Sequence, residues 1–247
     1  MQIFFHSKNL FALLQSYYSS LQNETEDIYY MINDLRTKYC QYANIDITDQ
    51  CDSALFLNWL LDLLQNNKDK LEWLSYIACK KCKKISKKHY KEHLWIVYPY
   101  EDDDSEIKEL TLPLILRKQN NQTIEFKCEK CNIVTPHLQK FFVINEPKNI
   151  FFNFQQTLSD HNKEIKLDEN INLGVKKSPA EYKLKGVVLH RRDSDESGHY
   201  TILIEESSGE WCHYNDATIT KVLDPVLRKS RLCKKYTHPI VWYERVD

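Results

Sequence analysis

Residues 182–216, YKLKGVVLHRRDSDESGHYTILIEESSGEWCHYND, decide how this chain is read. A β-prone run from Tyr182 ends in His190, and a polar turn leads to Gly198-His199-Tyr200. A second β-prone run, Thr201 to Glu205, follows, then Trp211 and Tyr214-Asn215-Asp216. A histidine at the start of one strand and an amide or carboxylate one hairpin later are two parts of a Cys-His-Asn/Asp triad. The third part is a thiol, so the next question is which cysteine could supply it.

The chain has 247 residues, enough for one large domain or two modest ones, and 42% apolar with 12% aromatic residues suits a globular protein that needs no staples. Lys and Arg number 34 against 35 Asp and Glu, so no global field draws the protein to nucleic acid or anionic membrane. No apolar stretch is long enough to span a bilayer. Met1-Gln2-Ile3-Phe4-Phe5 leads into Lys8 without the pattern of a signal peptide. The expectation is an intracellular protein, of cytoplasm or nucleus, with no membrane partner. In that reducing setting the eight cysteines read as metal ligands, catalytic thiols or buried thiols rather than disulfides.

All four glycines lie at or after Gly174, which puts the turn-rich architecture in the last third of the chain. The N-terminal part reads helical. Ser7 can cap a segment in which Leu10, Phe11, Leu13, Leu14, Tyr17, Tyr18 and Leu21 follow helical spacing, and Asn23 with Glu26 resembles a capping box for a second helix. A third helix is expected after Thr48 or Asp49. Its run Phe56, Leu57, Trp59, Leu60, Leu61, Leu63, Leu64 is apolar nearly all round, which predicts a place at the centre of the core. From Leu71 onward short β-prone runs take over, including Leu94 to Tyr98, Thr111 to Leu116, Phe141 to Ile144 and Ile150 to Phe154. Glu101 to Asp104 and Gln119-Asn120-Asn121-Gln122 read as exposed turns.

Cys79-Lys80-Lys81-Cys82 and Cys128-Glu129-Lys130-Cys131 are matched Cys-x-x-Cys pairs. Each can turn two thiolates onto one cation, and together they complete the tetrahedral four-sulfur shell of a structural Zn(2+) site. The lysines of both pairs offset the negative charge of four thiolates. A rival reading uses Lys80, Lys81, Lys83, Lys84, Lys87, Lys88 and Lys91 with Tyr90 and Trp95 as the basic aromatic face of a nucleic-acid-binding zinc ribbon. The 45 residues between Cys82 and Cys128 exceed the spacing of a compact ribbon and fit a longer zinc-tipped β arm. The acidic Glu101 to Asp104 within that arm also opposes a nucleic-acid partner.

Taken in order, these motifs resemble the catalytic domain of the ubiquitin-specific proteases, papain-like deubiquitinases built as thumb, zinc-bearing fingers and palm. Gln50-Cys51-Asp52-Ser53-Ala54-Leu55-Phe56-Leu57 is similar to the family's Gln-Gln-Asp-Ala-x-Glu-Phe-Leu thumb helix, and the Cys pairs to its fingers. Leu110-Thr111-Leu112-Pro113-Leu114 resembles its Leu-Ser-Leu-Pro strand, and Pro147 to Phe154 its Pro-x-x-Leu strand. Gly198-His199-Tyr200, Trp211, Tyr214-Asn215-Asp216 and Pro239 to Arg245 resemble its His box and closing strand.

The resemblance implies an α+β papain-like fold over residues 1–247: a helical thumb (1–70), zinc-bearing β fingers (71–145) and a β palm with the His box (146–247). It implies thiol-dependent hydrolysis of ubiquitin isopeptide bonds, with ubiquitin or its conjugates as partners. His199 would be the base and Asn215 its orienting partner, flanked by Asp216, while Gly198 and Tyr200 would line the path of the ubiquitin tail. Cys79, Cys82, Cys128 and Cys131 would hold zinc. His190 and His213 lack the Gly-His-Tyr context and read as structural.

The nucleophile departs from the pattern. The family carries it in an Asn-x-x-Cys box before a Leu-Gln-x-Leu-Phe pattern, and Met1-Gln2-Ile3-Phe4-Phe5-His6-Ser7 already resembles that later pattern. The box, with its oxyanion-binding Asn, is expected upstream of Met1, leaving the fold N-terminally incomplete. Cys40, Cys51, Cys212 and Cys233 occupy other places and read as small buried hydrophobes. Leu55 replaces the family's Glu, and Gln155-Gln156-Thr157 its Lys-Arg-Phe. The expectation is a domain inactive as given, through a missing segment, with a natural pseudoenzyme that binds ubiquitin as the alternative. No pattern in the sequence specifies an oligomeric state.

Overall fold

The structure is a computed structural model that describes residues 27–48, 51–63, 70–98, 110–155, 165–173, 179–192, 198–216, 218–222 and 237–246. It divides into two compact units, Met1–Asn67 and Lys68–Asp247. The helix expected over Leu10 to Leu21, the capping pair Asn23 and Glu26, and the acidic turn Glu101 to Asp104 lie outside the described residues.

In the first unit, α1 (Asp27–Ala43) ends at Asn44, whose φ of 55° puts it in the left-handed region, and Ile45 N–H closes the turn on Cys40 O at 3.1 Å. Asparagine tolerates that conformation, which makes it a natural helix stop. Helix α2 (Ser53–Leu63) begins later than expected after Thr48 or Asp49. The reason is its cap: Asp52 Oδ1 accepts the N–H groups of Ala54 and Leu55 at 2.6 and 3.1 Å. Thr48 instead donates its N–H and hydroxyl to Asp46 in a local turn. The central place expected for α2 is also corrected. Ala54 and Leu61 are its buried residues, while Leu55 is 65% exposed. Its aromatic side packs on α1, with Tyr39 edge-on to Phe56 at 5.2 Å and 5.4 Å from Trp59.

The second unit holds the main core. Its four-stranded antiparallel sheet has the order β2-β1-β6-β5, formed by β1 (Leu71–Cys79), β2 (Ile85–Glu92), β5 (Thr123–Cys128) and β6 (Ile133–Val143). Its eight-stranded sheet runs β13-β12-β11-β10-β14-β7-β3 with β9 paired to β10. The members are β3 (Leu94–Val97), β7 (Asn149–Phe154), β9 (Asn170–Leu173), β10 (Ala180–Arg192), β11 (Gly198–Glu205), β12 (Trp211–Asn215), β13 (Thr218–Val222) and β14 (Thr237–Arg245). Of its described pairings, β3 with β7 is parallel and the others are antiparallel. A short parallel pair joins β4 (Leu110–Thr111) to β8 (Ile165–Lys166). Strand β3 lies within the 71–145 stretch of the sequence yet belongs to the larger sheet.

The fold is thus mixed α+β, mostly strand, with three helices among the described residues. Val97, Phe152, Tyr182, Val241 and Tyr243 lie fully buried in one cluster. The two buried tyrosines keep their hydroxyls satisfied: Tyr182 donates to Pro147 O at 2.9 Å and Tyr243 to Asp168 O at 2.7 Å. Trp73 stacks between Tyr90 and Trp95 at centroid distances of 5.4 and 5.9 Å, tying the root of the small sheet to the large one.

The expected strand over Thr111 to Leu116 is a helix, α3 (Leu112–Gln119). Thr111 is extended and caps it, its Oγ1 accepting Leu114 N–H at 3.4 Å, and Pro113 sits in the first turn where its missing N–H costs nothing. Of the polar run Gln119 to Gln122, expected as an exposed turn, Gln119 closes the helix, Asn120 and Asn121 form the turn, and Asn121 is exposed. Gln119 is buried, and Asn120 Oδ1 accepts Phe141 N–H at 2.5 Å.

Candidate functional site

Strands alternate their side chains between two faces, and this sorts the residues of β10 to β12. His199, Thr201 and Leu203 share one face of β11, and Trp211, His213 and Asn215 the adjoining face of β12. His199 is the second residue of β11 and Asn215 the last of β12, so both stand at the same end of the sheet. His199 Nε2 lies 2.6 Å from Asn215 Oδ1. A carbonyl oxygen can only accept, so the proton sits on Nε2 and Nδ1 is left as the basic nitrogen. Asp216 follows in the left-handed region at φ 50°, 81% exposed, with Oδ2 3.8 Å from the same Nε2. Its contribution is a screened charge, while Asn215 makes the hydrogen bond.

The structure therefore brings His199 and Asn215 together and sets Asp216 beside them. Gly198 opens β11 opposite Arg192. Tyr200 points to the other face, where its ring stacks on His190 at 4.2 Å and 18°. That places Tyr200 and His190 together on the face opposite His199. His213 shares the His199 face but is bound to Thr201, Nε2 to Oγ1, at 2.9 Å. Burial, and then the neighbouring His199, hold the His213 imidazole below its ordinary pKa.

Cys212 lies between Trp211 and His213 on β12, so its thiol faces away from His199, and it is buried. Cys40 is buried and Cys51 half-buried in the first unit. Cys233 lies outside the described residues.

The second cluster is at the far end of the four-stranded sheet. Cys79 and Cys82 flank the β1–β2 turn, Cys128 and Cys131 the β5–β6 turn, and the four sulfurs lie within 4.8 Å of one another. The two turns share one construction. Lys83 N–H bonds Cys79 O at 3.0 Å and Asn132 N–H bonds Cys128 O at 2.7 Å, with Lys83 and Asn132 both left-handed at φ 62° and 56°. Cys82 N–H points at Cys79 Sγ (3.5 Å) and Cys131 N–H at Cys128 Sγ (3.4 Å). The Cys82 N–H, with Thr135 Oγ1 at 3.4 Å, draws the Cys79 thiol down to about 5 against the effect of burial. Cys131 is pushed up to about 12 by its contact with Cys82, by burial, and by Cys128 and Cys79. Four sulfurs this close cannot all ionise without a cation between them, and a tetrahedral shell at about 2.3 Å from Zn(2+) requires sulfurs about 3.8 Å apart. The observed Cys79–Cys131 and Cys82–Cys128 distances of 3.9 and 3.5 Å fit that shell.

Thr135 and His137 are site residues that motif spacing did not reveal. Both are buried on the cysteine face of β6, and Thr135 O lies 2.6 Å from His137 Nδ1. Their alternation after Cys131 was the available signal. The lysines are largely engaged within the protein. Lys84 pairs with Glu129 across the knuckles at 2.6 Å, Lys91 with Glu72 at 2.8 Å, and Lys80 donates to Thr123 at 2.9 Å. Lys88 lies over Tyr90, whose ring already stacks on Trp73.

A sequence profile of the family described as "Ubiquitin carboxyl-terminal hydrolase" matches residues 3–236. The chain is 26% identical over 132 residues to the probable ubiquitin carboxyl-terminal hydrolase 16 of Schizosaccharomyces pombe, covering 49% of this chain and 28% of that protein. It is 22% identical over 229 residues to ubiquitin carboxyl-terminal hydrolase 13 of Saccharomyces cerevisiae, covering 81% of this chain and 28% of that protein. Ubiquitin carboxyl-terminal hydrolase 10 of the same yeast is 27% identical over 126 residues, 47% of this chain and 16% of its own length. The chain thus matches less than a third of the length of these curated relatives.

Proposed function

The chain belongs to the ubiquitin carboxyl-terminal hydrolase family, and from that membership we propose that it is a ubiquitin-specific protease-like domain that binds ubiquitin or its conjugates through a zinc-stabilised arm and presents one half of an isopeptidase centre. The observation that carries this reading is the 2.6 Å contact of His199 Nε2 with Asn215 Oδ1. With Nε2–H donated to Asn215, His199 Nδ1 can take the proton of a thiol and later return it to the departing lysine amine. Asn215 fixes the ring and its tautomer, and Asp216 steadies the imidazolium through space. Gly198 admits the ubiquitin tail alongside β11.

Zn(2+) held by Cys79, Cys82, Cys128 and Cys131 would supply structure and no chemistry of the reaction. In this reading residues 1–70 form the thumb, 71–145 the fingers and 146–247 the palm of one intracellular domain. Within the second unit the Cys212 thiol faces away from His199 and the other four described thiols are gathered in the sulfur cluster, and in this reading the chain binds ubiquitin without cleaving it. Binding without cleavage is also what a natural pseudoenzyme scaffold would do.

The test pairs a thiol-reactive ubiquitin C-terminal probe with a ubiquitin titration. The expected result is ubiquitin binding with no probe adduct. An adduct on Cys40, Cys51, Cys212 or Cys233 would overturn the reading that none of these four is the nucleophile, and no ubiquitin binding would overturn the domain's role. Salt-sensitive RNA binding lost on charge reversal of Lys80, Lys81 and Lys84 would instead favour the zinc-ribbon reading.

A further inference from the structure

His199 and Asn215 meet just past the last described pair of β11 and β12. His199 is secured outward, paired with Arg191 of β10, and Asn215 is paired with Thr218 of β13. The backbone ladder between their own strands, however, has Ile202 and Tyr214 as its last described pair, short of both residues. Among the described residues, two side-chain hydrogen bonds cross between β11 and β12 at this end. One is His199 to Asn215, and the other is His213 Nε2 to Thr201 Oγ1 at 2.9 Å.

We propose that His213 and Thr201 act as positioning residues, a side-chain clamp across β11 and β12 that holds His199 within reach of Asn215. The inference rests on the reading of His199 and Asn215 as the acid–base pair. Thr201 is 5% exposed, so water competes poorly for its hydroxyl. Around the clamp on this face stand Leu203 on β11, Trp211 on β12 and Thr218 and Thr220 on β13, all uncharged. The titratable groups described beside it are His199 and, past it, Asp216, and Arg191 of β10 holds the register position next to His199. Burial and His199 keep His213 neutral near pH 7, so the clamp sets no second cation beside an imidazolium forming on His199.

The experiment uses the whole chain with nitrogen-15-labelled histidine. The tautomer of His199 and the exchange rate of its Nε2 proton are read by NMR in the wild type, Thr201→Val, His213→Phe, the double variant and His213→Gln. The expected result is an Nε2–H tautomer in the wild type and exchange faster by roughly tenfold in either single variant, the scale of one hydrogen bond. The double variant should be no faster than the singles, since one clamp is lost once, and His213→Gln, which can still bond Thr201, should restore most of the protection. Folded Thr201→Val and His213→Phe proteins with wild-type tautomer and exchange would overturn the clamp. A wild-type His199 that is not the Nε2–H tautomer would overturn the His199–Asn215 reading, and the clamp with it. If His213→Phe does not fold, the isosteric Thr201→Val decides.

Discussion

A β-carbon on Gly186 would stand 3.2 Å from Trp242 Cε3 and 3.4 Å from the Leu203 carbonyl oxygen, so the glycine is what lets β10 lie close against β14. The close approach falls where the β10–β14 register slips between Leu184 and Gly186. The indole has little room to retreat. Its Nε1–H donates to Asn149 Oδ1 at 2.9 Å and its ring stacks on Phe151.

Gly186→Ala should therefore destabilise the second unit by about 1 kcal/mol, and Gly186→Val by about 2–3 kcal/mol. Urea unfolding followed by tryptophan fluorescence measures both.

Glu205 is nearly buried, its carboxylate shared by Lys183 at 2.5 Å and Lys185 at 2.7 Å. Burial pushes its pKa up, but the two lysine contacts outweigh it and the folded value falls below the ordinary 4.5. A depressed carboxylate contributes stability that is fully present above its unfolded value and lost as pH falls through the folded one. Glu205→Gln should cost about 1–2 kcal/mol at pH 7, the lower end applying because Lys183 is partly solvated. The wild-type and variant stability curves should converge as the pH drops below 4.5, which a denaturation series across pH would read.

The two knuckles differ at one strained position. Lys83 adopts a left-handed φ that costs an ordinary residue about 1–2 kcal/mol, while Asn132 occupies its equivalent with less penalty. Lys83→Gly should stabilise the apo and metal-loaded protein by about 0.5–1 kcal/mol, and Asn132→Gly by less. Thermal unfolding of the two variants side by side gives the comparison.

Metal content tests the sulfur cluster directly. The protein should carry about one zinc per chain, and Cys79→Ser or Cys128→Ser should abolish it. Site formation contributes to folding, so chelation should make the β1–β2 and β5–β6 hairpins sensitive to protease while the large sheet persists. Metal analysis and limited proteolysis report the two effects, and unchanged metal content in the serine variants would remove the assignment.

Much of the second unit was legible because its signals are local. Cys-x-x-Cys spacing marked both knuckles, and Gly198 and Trp211 marked the strands that carry His199 and Asn215. What escaped depended on competition between neighbours. Thr111 to Leu116 has strand composition, but a capping hydroxyl followed by Pro113 turns it into a helix. The start of α2 was set by Asp52 rather than by Thr48, because both can cap and Thr48 is occupied by Asp46. A helix apolar nearly all round suggested a central place, yet its burial depends on which elements meet it, and periodicity carries no such information. The Thr201–His213 contact joins residues twelve apart through a hairpin register that composition does not fix.

Strand β2 forms one border of the four-stranded sheet among the described residues, and nearly every residue along it is exposed. A bare strand border of that length is a template on which another chain can grow a fifth strand. Lys87, Lys88 and Lys91 make that border costly to zip onto, since a second copy would bring its own row of ammonium groups against them. The lysines that first suggested a polyanion partner thus also guard against self-association. Replacing them with threonine should cost the Lys91–Glu72 pair and favour strand-to-strand association through β2, which light scattering against concentration would read.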